Sequence, residues 1–228
     1  MKKHWLIILS LTLLFGISVI SCTDDGDDPQ NTDKELHPSL QGNNYHLLVM
    51  DKFSKEKIKD KIAQDYRPDN VVRHVYIWAD SYKTTLCTDK NFYGELQGWR
   101  AFSVGTVGWS AAAFHSLPES GGCDLTKLVE SYTFHMAIRS NDNATHAVRF
   151  LGSDGNLYGF AIGTEMLEGV EPYTDFERDG EWHEIEVPVK YLVDKGLRYD
   201  NVIPTGDMAI FYSGGVAGTT LDVDAVFF

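Results

Sequence analysis

Positive charge is scarce in this sequence. There are 20 Lys and Arg against 33 Asp and Glu, a formal net charge of −13. The Lys-rich stretch 52–61 reads as a solvated face and the body carries no Lys/Arg stripe, so nothing supports phosphate recognition and nucleic acid is not an expected partner. Cysteine is scarcer, with three in 228 residues. Cys87 and Cys123 sit in no metal-type spacing. A disulfide between them and two free thiols both stay open. Catalytic signatures are missing as well: there is no Gly-x-Ser-x-Gly, no His-Glu-x-x-His and no glycine-rich phosphate loop. His115, His135, His146 and His183 are scattered singly and read as ordinary strand histidines. Glu184 and Glu186 share a strand face and read as solvated. No carboxylate pair is marked for hydrolysis, so no catalytic residue is assigned.

Only one long apolar run exists, and it is at the start. Lys2 and Lys3 precede "WLIILSLTLLFGISVIS", and Cys22 follows. A short basic segment, an apolar segment and a small-residue exit make an export signal. Val19-Ile20-Ser21-Cys22 resembles a bacterial lipobox, which implies cleavage after residue 21 and lipidation of Cys22. A plain secretory signal with an incidental Cys is the alternative. Residues 22–44 are then expected to form an acidic disordered tether. Between Thr23 and Glu35 lie six acids and one Lys. That cluster resembles the signal that sends some Gram-negative lipoproteins to the outer face of the outer membrane; a solvated spacer explains it equally. The expected location is the outer membrane, lipid-anchored and surface-exposed.

Residues 45–228 read as one domain. Residues 51–66 read as a helix, capped by Asp51, supported by Glu56 with Lys59, and ended before Pro68. The rest alternates with period two between turn clusters. Strands are expected near 73–80, 101–107, 132–139, 145–151, 157–162, 182–188, 208–213 and 219–228. The fold class is all-β: an antiparallel jelly-roll β-sandwich with one N-terminal helix.

"DGEWHEIEVPVKYL" and the terminal "MAIFYSGGVAGTTLDVDAVFF" resemble the C-terminal half of galactose-binding-like jelly-roll carbohydrate-binding modules. The matching positions are Trp182, Ile185, Val187, Pro188, Gly218, Val223, Asp224, Ala225 and Phe227. With the lipobox, the chain resembles surface lipoproteins of Gram-negative glycan-utilisation systems. The resemblance implies a glycan partner and other proteins of a surface uptake complex. No cofactor, and one structural calcium with Asp224 as a ligand by the same resemblance, are both open; capping an edge or bonding a turn amide is the other role for Asp224. A hydrolase or lyase on the same scaffold, and an assembly subunit, are the alternative readings.

A sugar ring presents an apolar C–H face to aromatic rings and a hydroxyl rim to carboxylates and Arg. The candidates are Trp78, Asp80 and Tyr82, then Tyr93, Glu95, Trp99 and Arg100 from "NFYGELQGWR", then Trp109. A sandwich of this size also needs large aromatics in its core. The face of Tyr76, Trp78 and Tyr82 is expected to be mostly packed. The ligand surface is expected on 93–109, with Trp99 or Tyr93 outermost.

Overall fold

The computed structural model describes residues 35–66, 75–87, 89–96, 98–116, 124–128, 130–201 and 206–228. The expected signal peptide, Cys22, most of the tether and Cys123 lie outside these residues. Cys87 is disulfide-bonded. Among the described residues no helix is long and apolar enough to cross a membrane.

Two β-sheets pack face to face. The strands in chain order are β1 (Tyr45–Val49), β2 (Ile62–Asp65), β3 (Val75–Ile77), β4 (Tyr82–Cys87), β5 (Trp99–Val104), β6 (Ala112–Ser116) and β7 (Thr133–Arg139). They continue with β8 (His146–Leu151), β9 (Leu157–Ile162), β10 (Pro172–Thr174), β11 (His183–Pro188), β12 (Gly206–Tyr212) and β13 (Thr220–Phe227). One sheet runs β11-β7-β13-β1-β2, with β5 on β13 and β4 on β5. The other runs β10-β9-β8-β12-β6-β3. The expected β-sandwich is therefore present. Two pairings are parallel rather than antiparallel, β1 with β2 and β9 with β10.

Alternation explains the core. Phe134, Met136 and Ile138 of β7 face inward, as do Val148 and Phe150 of β8 and Phe160 and Ile162 of β9. Their rings interlock edge to face, Phe134 with Phe150 and Phe114 with Phe211, each pair 5.0 Å apart. Burying one such ring contributes about 1.5–3 kcal/mol.

The expected helix is shorter than its pattern. Helix α1 spans only Lys52–Lys57, with the Asp51 carboxylate accepting from the amides of Phe53 and Ser54. A single 3-10 turn follows, and then Ile62 enters β2, because pairing with Tyr45 replaces the lost helical bonds. A second short helix, α2 (Val189–Asp194), was not foreseen.

Residues 35–44 are folded, not tether. Leu40 is 2% exposed and packs with Tyr45, Leu47, Met50, Ile58 and Phe227. This segment, α1 and the 89–96 loop cover part of the outer face of the seven-stranded sheet. The outer face of the six-stranded sheet carries no comparable apolar layer among the described residues.

Candidate functional site

The open face follows from strand alternation. In β12, Ala209 and Phe211 join the core, so Ile210 and Tyr212 turn outward. In β8, Val148 and Phe150 point in, which turns Arg149 and Leu151 out. In β6, Phe114 points in and His115 out.

Leu151, Ile210 and Tyr212 among these outward residues line a cleft of about 600 Å³. Trp78 and Trp109 wall it, Ile210 and Tyr212 lie on its floor, and Asp207 and Glu168 bring carboxylates to it. Trp109 is 41% exposed. Tyr76, 51% exposed, meets Trp78 edge to face at 4.9 Å and extends the aromatic surface. The His115 ring lies 3.0 Å from an Asp207 oxygen through Nδ1. Arg149 donates from Nη2 to the Leu157 carbonyl at 3.2 Å. It crosses Gly159, where a Cβ would stand 2.9 Å from its Cγ. Burial pushes the Tyr212 phenol up; Arg149 pulls it down, and Glu168 and Asp207 add to the rise.

The two tryptophans sit on loops fixed by buried hydroxyls. The Trp78 amide donates to the Ala111 carbonyl at 3.3 Å. Ser81 Oγ donates to that carbonyl and accepts from the Ala111 amide. Ser110, next to Trp109, donates to the Gly214 carbonyl at 2.7 Å and accepts from the Ser213 amide at 2.8 Å. Ser213 Oγ accepts from Tyr82 at 2.6 Å and lies 2.8 Å from His146 Nδ1. Burial pushes the Tyr82 phenol up to about 12 and the His146 imidazole down to about 4. Both stay neutral near pH 7, so this hub carries no charge that would draw in water.

Of the sequence candidates, the fold brings only Trp78 and Trp109 to the cleft. Tyr82 is buried in the hub below it. Asp80 is exposed in a 3-10 turn and does not line the cleft. Trp99 was expected outermost and is instead 2% exposed. The Arg139 guanidinium lies over it at 4.4 Å and over Trp182 at 4.6 Å, and donates to Asp222 at 2.9 Å. Arg100 faces the sandwich interior, where burial lowers its pKa. Tyr93 is half-buried against His37 and Phe92, with its phenol pushed up by burial. Glu95 pairs with Lys57 at 2.8 Å.

The expected common face of Tyr76, Trp78 and Tyr82 does not exist. Strand β3 ends at Ile77, and Ala79 and Asp80 take left-handed conformations (φ 48° and 54°). The chain then crosses to the other sheet, so only Tyr82 is buried. Sequence reasoning missed Tyr212, Asp207 and Glu168. The alternation of Ile210 and Tyr212 within "MAIFY" is a signal for the first; the others need tertiary placement.

Asp224 is 1% exposed and accepts from the Phe92 amide at 3.0 Å through Oδ2. Among the described residues its Oδ1 has no hydrogen-bond partner, and neither does Oδ2 of buried Asp51. Burial, reinforced by Asp51, raises the Asp224 pKa to about 7. Among the described residues Asp51 and Asp224 belong to no group of three metal-ligating side chains, whereas calcium takes six to eight oxygens.

No family model matches the sequence, and no curated protein does. Solved structures do match. An exo-β-agarase shares 12% identity at a TM-score of 0.47, over 72% of this chain and 24% of that one. A family 11 carbohydrate-binding module from Clostridium thermocellum, in complex with a β-1,3-1,4-mixed-linked tetrasaccharide, shares 13% identity at 0.44, over 72% and 91%. A family 30 carbohydrate-binding module shares 14% at 0.44, over 69% and 91%. The chain thus spans about a quarter of the agarase. Similarity at this level transfers no ligand to this protein.

Proposed function

We propose that this protein binds glycan, without cleaving it, in the cleft on the open face of its six-stranded sheet. The observation that supports this best is the convergence of Trp78 and Trp109 on one cleft with Asp207, Glu168 and Tyr212. Two aromatic walls suit the C–H faces of sugar rings, and the carboxylates and phenol suit the hydroxyl rim. A net charge of −13 disfavours polyanionic chains, so the ligand class is a neutral polysaccharide. Affinity electrophoresis of the full chain through gels containing neutral and acidic polysaccharides tests this. Retardation by a neutral polysaccharide, lost in Trp109→Ala, is the expected result.

We place the protein on the cell surface through lipid on Cys22, within a surface glycan-uptake complex. The support is the lipobox-like Val19-Ile20-Ser21-Cys22 and the acid cluster behind it. One structural calcium belongs to the proposal too, held by the free oxygens of Asp51 and Asp224.

A second reading has one observation in its favour. Glu168 and Asp207 bring two carboxylates to the same cleft, as a hydrolase would. Reducing-end release from the bound polysaccharide decides between binding and cleavage.

A further inference from the structure

On the opposite sheet, β7 and β11 build a second chemical cluster. Glu186 stands directly across the pair from His135, and Glu184 lies two residues along the same face. The His135 Nδ1 atom is 3.0 Å from Glu184 Oε1 and 3.5 Å from Glu186 Oε1. One ligand atom from each of the three residues lies within 4.8 Å of the others. No other such trio occurs among the described residues.

The hydrogen bonding of this trio is incomplete. Nδ1 carries at most one hydrogen, so it serves one carboxylate at a time. Among the described residues Glu184 and Glu186 have no ion-pair partner besides His135. Two carboxylates on one strand face repel each other.

The groups are also held in place. The His135 ring stacks on Phe227, with centroids 4.7 Å apart and planes 8° from parallel. The trio opens onto a cavity of about 540 Å³, also lined by Ser39, Asn43 and Asn44.

We infer that His135 Nδ1, Glu184 and Glu186 form a binding site for a divalent transition metal of the zinc class. Ligand atoms on one tetrahedral zinc ion stand roughly 3.4 Å apart, given bonds of about 2.0–2.2 Å. The observed 3.0 and 3.5 Å need little rearrangement. The imidazole selects against calcium and magnesium, which take oxygen. Three protein ligands leave a fourth position on a tetrahedral ion, and all three residues line the cavity.

The test is zinc binding to tag-free full-length protein in detergent, read by competition with a chromophoric chelator. One zinc per chain is expected, with calcium failing to displace it. Glu186→Gln and His135→Ala should each weaken zinc at least tenfold while far-UV circular dichroism stays unchanged. Glu186 is largely exposed, so its variant remains informative if His135→Ala does not fold. Retention of polysaccharide by both variants separates this site from the cleft. Absence of stoichiometric zinc, or undiminished zinc affinity in Glu186→Gln, would overturn the inference.

Discussion

Gly215 lies so close to Gly108 that a Cβ on Gly215 would stand 2.0 Å from the Gly108 carbonyl oxygen. This backbone contact, with the Ser110 bonds to Gly214 and Ser213, fixes the loop that carries Trp109. Gly215→Ala must push that loop away. It should lower both the melting temperature and the affinity for polysaccharide. Trp109→Ala, at an already exposed ring, should leave the melting temperature nearly unchanged and cost binding about 1–2 kcal/mol, roughly tenfold. Thermal melts and gel retardation of both variants check the distinction.

Trp99 should behave in the opposite way. It is buried between the Cys87 region, Trp182 and the Arg139 guanidinium. Trp99→Ala should destabilise the fold by about 3–5 kcal/mol and leave the affinity of the folded fraction unchanged. Denaturant melts beside binding isotherms measure the two effects separately.

The contrast between Trp99 and Trp109 shows where the sequence was legible. Strands with clean alternation, such as β7 and β11, were readable because one face meets a core. The register of Phe134, Met136 and Ile138 came out as the pattern demanded. The helix ran too long because "IAQD" has no local preference strong enough to resist pairing with β1. Aromatic residues signalled a platform, but which ring ended outside depended on nonlocal cover. Lys90 bridges to Leu96, and the Lys90 carbonyl accepts from Trp182 over Trp99. Nothing periodic announces such a fold-over. The partnership of Trp78 with Tyr212 was invisible for the same reason: β3 and β12 are separated by β6 within the sheet.

Asp224 makes stability fall with rising pH. Its folded pKa is about 7 against an ordinary 3.8. The folded state therefore holds a proton that the unfolded state releases between those values. Its contribution is complete below about pH 4 and is lost as pH rises through 7, on the order of a few kcal/mol. In chelator-treated protein, Asp224→Asn should be more stable than the parent at pH 8 and not at pH 4. Millimolar calcium should raise the parent's melting temperature at pH 8 and leave that of Asp224→Asn unchanged. A calcium effect that survives the substitution removes Asp224 from the calcium site.

Cys22→Ser should shift the protein from the membrane pellet to the soluble fraction or leave its leader uncut. Fractionation and mass measurement of the expressed chain report this. Unchanged membrane association with a cleaved leader would argue against lipid on Cys22.

The most direct measurement is polysaccharide binding by the parent, Trp78→Ala, Trp109→Ala and Tyr93→Ala, each in a detergent without a sugar headgroup and each with its melting temperature. The cleft on the six-stranded sheet predicts that the parent and Tyr93→Ala bind a neutral polysaccharide while Trp78→Ala and Trp109→Ala lose at least tenfold in affinity. Equal binding by all four, or loss in Tyr93→Ala alone with its fold intact, would contradict it.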